Sequence, residues 1–198
     1  LSPKRIVVAS LVMADAEEAC AQLREEFPDD IAFVPESGNL FVPTDLADVS
    51  RSEIMCDPVL RRRLLRALYD DFEAAYEQNH LARLISRHQP EVIVDCVNTA
   101  TGLSYQDVFD GAAKVREWIR DDAYDVRGIG DLETFLLTQS TPQLIRHVSI
   151  LHRATVEHWT RVYVKVGTTG TGVMGLNIPY THSEDKPSKK LLAKTEAA

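Results

Sequence analysis

The chain has 198 residues, 44% apolar and 26% charged, with 22 Lys and Arg against 30 Asp and Glu, a net charge of −8. This is the composition of a globular protein with one sizeable core, and its acidic balance argues against the basic face by which nucleic-acid binders displace counterions. No uncharged apolar run approaches the roughly 18 to 20 residues needed to cross a bilayer, so neither nucleic acid nor membrane is expected as a partner.

"RIVVAS" (Arg5–Ser10) is a β-branched run of the kind that fills a buried parallel strand. In "ADAEEACAQLREEFP", Ala16, Ala19, Leu23 and Phe27 recur at helical spacing until Pro28 stops them. "IAFVPESGNLFVPTDL" reads as a strand ending near Asp45, interrupted at Pro35 and Gly38. Residues 58–88 form the longest helical region, opened by Pro58 and divisible after Asn79. "PEVIVDCVNTATG" (Pro90–Gly102) is a third strand with its following loop, and residues 105–120 return to helix. Residues 121–141, polar and glycine-containing, predict a loop or insertion. "PQLIRHVSILHRATVEHW" predicts a helix with Leu144, Ile145, Val148, Leu151 and Val156 inward, before a last strand in "RVYVKVG".

Strands alternating with helices favour a parallel sheet covered on both faces, in one domain over residues 1–198. The ligand edge of such a sheet is its carboxyl end, which gathers the loops after Ser10, Asp45, Val97 and Gly167. Cys20, Cys56 and Cys96 lie far apart without C-x-x-C spacing, so neither disulfides nor zinc are indicated and a cytoplasmic setting is the default. Cys96, inside the third strand, is expected in the core. His147, His152 and His158 do not share a helix face, and no metal site is expected. Arg61–Arg63 reads as a solvated face.

Gly170, Gly172 and Gly175 spell G-x-G-x-x-G after the last strand. A phosphate loop of that form must run straight into a helix, whose N-terminus meets the anion. Pro179 and Pro187 prevent that here, so the stretch reads as a flexible loop beside a ligand site. The chain opens at Leu1 and closes in a helix-forming "KKLLAKTEAA" without a stop signal, as a segment of a longer chain would.

In four places the sequence resembles the extended short-chain dehydrogenase/reductase and sugar-nucleotide epimerase family: "VPTDLAD", "VIVDCVNTATGLSYQD", "LIRHVSILHRATVEHWTRVYV" and "SKKLLAKTEAA". The resemblance implies a Rossmann-like, doubly wound α/β fold, incomplete at both ends, whose first strand and Gly-rich loop would precede Leu1. It implies NAD or NADP as cofactor, held by Ser10, Asp45, Leu46, Asn98, Thr99, Ala100 and Thr101; the missing acid at Ser10 tilts the choice slightly to NADP. It implies catalysis by Thr168, Thr169 or Thr171, with Tyr180 and Lys194, on a secondary alcohol or ketone such as a sugar nucleotide, and it leaves a homodimer open. The sequence departs from the family at Gly167, where a catalytic serine belongs, and at Lys190, where a tyrosine belongs. The alternative is a dinucleotide-binding regulatory protein with a degenerate site.

Overall fold

The computed structural model describes residues 3–27, 31–97, 108–120 and 126–166. Strand β1 (Arg5–Ser10), helix α1 (Met13–Glu26) and strand β2 (Ala32–Ser37) form a β-α-β unit with a parallel pair, Arg5 opposite Ala32 and Ser10 opposite Ser37. The helix lies on the pair through Ala16 and Cys20, both fully buried. A single 3-10 turn (Thr44–Leu46) follows β2.

Four helices come next: α2 (Arg51–Cys56), α3 (Pro58–Tyr69), α4 (Phe72–Gln78) and α5 (His80–His88). The long helical region of the sequence is thus three helices, because it carries its own start signals. Asp71 accepts from the Ala74 N–H and Asn79 from the Ala82 N–H, so each caps a new helix. Helix α2 is the element the hydrophobic pattern misses. Its signal is the capping box of Ser50 and Glu53, each side chain bonded to the other's backbone N–H.

Strand β3 (Val92–Asp95) precedes α6 (Val108–Arg120), α7 (Val126–Leu137) and α8 (Ser140–Glu157), and strand β4 (Val162–Lys165) closes the described chain. Where a loop is expected over 121–141, α7 forms instead. Its Leu137 is buried and Glu133 binds both Arg61 and Arg62, so tertiary partners stabilise a stretch whose two glycines weaken it as an isolated helix. This also corrects the solvated reading of the arginine run. Arg61 is buried, donating to Glu133 and to the Met55 carbonyl, and Arg63 binds Asp45.

Strands β3 and β4 pair parallel, Val92 opposite Val162 and Asp95 opposite Lys165. The architecture is mixed α/β and mostly helical, with two parallel two-stranded sheets among the described residues. The core lies among helices. One cluster joins Val42, Leu46, Ile54, Leu64, Leu68 and Leu137; the other joins Tyr76, Ala82, Ile85, Ile150 and Ala154, with Ile93 of β3 against it. By the alternation of a strand, Val92, Val94, Val162 and Val164 share the opposite face, and that face is exposed. Cys96 is exposed as well, against expectation, because it follows the end of β3. No described helix is long and apolar enough to cross a membrane.

Helix α8 departs most from its sequence pattern. Ile150 and Ala154 are its buried contacts, and Leu151 packs beside them, whereas Leu144, Ile145, Val148 and Val156 face outward. The reason is the partner face. Arg146 donates to the Leu68 and Asp70 carbonyls, and Arg153 reaches Glu73 and lies over the Tyr76 ring, which rotates the polar side of α8 toward α3 and α4.

Candidate functional site

The carboxyl ends of the strands are tied together by short-range geometry. Gly38 N–H donates to the Ser10 carbonyl at 3.0 Å, turning the chain across the end of β1. His80, first residue of α5, sends its Nε2–H to the Ser37 carbonyl at 2.8 Å. The proton therefore sits on Nε2, and the buried Nδ1 has no partner among the described residues. Gly38 takes φ +117°, and a Cβ there would stand 2.7 Å from His80 Nε2, so only glycine fits.

At the end of β3, Asp95 is the hub. Its Oδ2 accepts from the Tyr163 hydroxyl at 2.6 Å and lies 3.0 Å from Lys165 Nζ, while Oδ1 accepts from the Val97 N–H at 2.8 Å. Lys165 also donates to the Val97 carbonyl. Burial alone would raise the Asp95 pKa, but these donors and the lysine charge outweigh it and hold the carboxyl below its usual range. Burial, reinforced by the Asp95 acceptor, pushes the Tyr163 phenol up, so it stays a protonated donor.

Phe41 links the loop after β2 to helix α8. The Phe41 ring, in the loop after β2, lies 4.5 Å from the His147 ring on α8. His147 is close enough to Asp95 and Lys165 to feel both charges; its burial dominates and lowers its pKa. The neutral imidazole is therefore favoured at neutral pH.

Asp95 therefore ties the stability of this strand end to pH. Because the folded pKa is depressed, its stabilisation is complete above the unfolded value of about 3.9 and is lost as pH falls through the folded value. Urea midpoints measured from pH 6 to pH 2 should fall more steeply at the acid end for the natural chain than for Asp95→Asn. Equal slopes would contradict the hub.

Of the residues named from sequence, Ser10 stands at the end of β1, its hydroxyl 3.5 Å from Asp15 of α1. Asp45 is in the 3-10 turn, where Arg63 grips both its oxygens at 3.0 and 3.1 Å. Leu46 is 1% exposed and belongs to the first core cluster. Asn98, Thr99, Ala100, Thr101, Thr168, Thr169, Thr171, Tyr180 and Lys194 lie outside the described residues, as do the three glycines of the G-x-G-x-x-G. Sequence reasoning missed Asp15, His80, Asp95 and Tyr163, and weighed His147 only as a metal ligand. Only "VIVD" ending in an acid carried a legible signal, since an Asp closing a buried strand needs donors. No group of metal-binding side chains occurs among the described residues.

No family model, curated protein or solved structure matches this chain.

Proposed function

We propose that the chain is the dinucleotide-binding part of an NAD(P)-dependent oxidoreductase or epimerase-type protein, built on a doubly wound, Rossmann-like sheet. The observation that carries this reading is the strand arrangement. Each pair is parallel, and β1 and β3 each keep an unpaired edge among the described residues. Helix α5 runs from the carboxyl end of β2, where His80 meets Ser37, to the start of β1, where Arg5 donates to the His88 carbonyl. It then delivers the chain into β3, so β3 sets out from the same end as β1. One further parallel strand between β1 and β3 would make a continuous sheet in the order β2, β1, added strand, β3, β4. The exposed valine face of β3 and β4 supports the same reading, since parallel sheets are normally covered on both sides.

The described residues fit the adenosine half of the cofactor in part. The Ser10 hydroxyl is accessible, and Asp15 beside it supplies the carboxylate that the end of β1 lacks. A carboxylate there suits ribose hydroxyls and repels a 2′-phosphate, which favours NAD over NADP. Leu46 offers only backbone, and Asp45 would reach an adenine only by sharing its carboxylate with Arg63. When bound, the nicotinamide would give or take the hydride; the substrate class proposed is a secondary alcohol or ketone. Gly167 and Lys190 keep the regulatory alternative in play.

Fluorescence titration of NADH and NADPH into the full-length encoded protein, with turnover followed at the same time, tests the proposal. Binding with turnover is expected, NADH ahead of NADPH, and Asp15→Ala should narrow that preference. Binding without turnover selects the regulatory protein, and no binding of either cofactor overturns both.

A further inference from the structure

Outside the strand ends, the outward face of α8 is the feature that the proposed function leaves unused. Thr141, Leu144, Ile145, Val148, His152 and Val156 line it over four turns, without Asp, Glu, Lys or Arg. All three such charged residues between Thr141 and Glu157 are directed elsewhere: Arg146 to the Leu68 and Asp70 carbonyls, and Arg153 and Glu157 to each other. Leu144, Ile145, Val148 and Val156 are about half exposed or more. A solvated helix face of this length ordinarily carries charge.

The end of the helix adds a second observation. The Thr160 N–H donates to the Thr155 carbonyl at 2.9 Å and the Trp159 N–H to that of Val156 at 3.4 Å, a Schellman ending with Trp159 at φ 58°. That position is one glycine fills without steric cost. Here it holds a tryptophan that is 86% exposed, the most exposed large apolar side chain among the described residues. One residue thus combines a left-handed backbone with a solvent-exposed indole.

At the other end of the same helix is a place for it. Leu68, Tyr69, Phe72, Pro142, Ile145 and Arg146 line a cleft of about 450 Å³ between α3, α4 and α8. Arg146 already lies over the Phe72 ring, 5.7 Å from its centre, and can stack on a second aromatic ring.

The geometry points to α8 as a self-docking surface, on which a second copy of this chain packs its own α8 antiparallel and seats Trp159 in the cleft. A twofold axis at His152 sets Val148 against Val156 of the second copy and Ile145 against its Trp159. Residue i then meets residue 304 − i, and each copy gives what it receives, as an isologous contact requires. Because the face carries no Asp, Glu, Lys or Arg, this self-contact sets no carboxylate, ammonium or guanidinium against its like, which a helix of one dominant sign could not achieve. Burying both indoles, at about 200 Å² each, supplies roughly a quarter of the about 1,600 Å² of a standard interface. The apposed Leu, Ile and Val side chains add to it.

Analytical ultracentrifugation of the full 198-residue chain should show a dimer at micromolar concentration. Val148→Glu places two carboxylates in the contact and should raise the dissociation constant more than about tenfold. Trp159→Gly should do the same without lowering the thermal midpoint at concentrations where both chains are monomeric, because glycine suits the helix end. With the exposed Cys56 and Cys96 changed to Ser, His152→Cys should crosslink to itself through a short bis-maleimide, and Arg116→Cys on α6 should not. A chain that stays monomeric at about 100 μM overturns the proposal. So does a dimer unmoved by Val148→Glu and Trp159→Gly, or one that fails to crosslink at residue 152.

Discussion

Gly38→Ala is expected to lower the unfolding free energy by about 2 to 4 kcal/mol, from two separable causes. A non-glycine residue at φ +117° holds about 1 to 3 kcal/mol of backbone strain. The new methyl would also meet His80 Nε2 at 2.7 Å and the Ala47 Cβ at 3.0 Å, so something must move. His80 is anchored at the start of α5, and its displacement breaks the bond to the Ser37 carbonyl that joins α5 to the end of β2. Urea denaturation of Gly38→Ala, His80→Ala and the double variant separates the parts. The double variant should be less destabilised than the sum of the singles, since the clash with the ring is gone while the backbone strain and the close approach to Ala47 stay. Strict additivity would show that the ring and the turn are not coupled.

Leu46→Ala should cost about 2 to 5 kcal/mol, the range for emptying a well-packed core site. Leu46 is 1% exposed among Val42, Ile54, Leu64, Leu68 and Leu137, which come from the turn after β2 and from α2, α3 and α7. Four separate segments would line the resulting cavity, and none could close it without disturbing the others. Its neighbour behaves differently. Asp45→Ala removes an ion pair whose acid is more than half exposed and should change stability by about 0 to 1 kcal/mol. Thermal and urea unfolding of the two variants side by side give the contrast. If Leu46→Ala costs less than 1 kcal/mol, its place in the core is wrong. The pair also separates two roles that the sequence assigned together: a cofactor contact at residue 46 can come only from its backbone.

Much of the local structure was readable without coordinates. β1 ends where its β-branched run ends, at Ser10, and α1 stops just before Pro28. The parallel pairing followed from strands separated by helices and is seen in both pairs. The candidate site was less legible. Ser10 stands at the end of β1 as expected, whereas Asp45 lies inside the 3-10 turn beyond β2, and the partners that determine their chemistry, Asp15 and Arg63, sit on helices that pattern alone assigns to solvent. The Asp95 hub needs Tyr163 and Lys165, some 70 residues downstream, and only pairing in register brings them to it. The burial of Arg61 depends in the same way on Glu133.

By itself the sequence determined the acidic charge, the extent of β1 and α1, and the alternation that makes the strands parallel. These depend on nearest neighbours, spacing and end signals, which are local properties of the chain. Strand β2 ends at Ser37 rather than near Asp45, because Gly38 turns the chain there. Tertiary structure decided which face of each helix turns inward. For α8 it overruled the apolar stripe of Leu144, Ile145, Val148 and Val156, because the arginines on its other side found carbonyl, carboxylate and aromatic partners on α3 and α4. A helix carries two candidate inner faces whenever its polar side can be satisfied within the fold, and only the neighbouring elements choose between them.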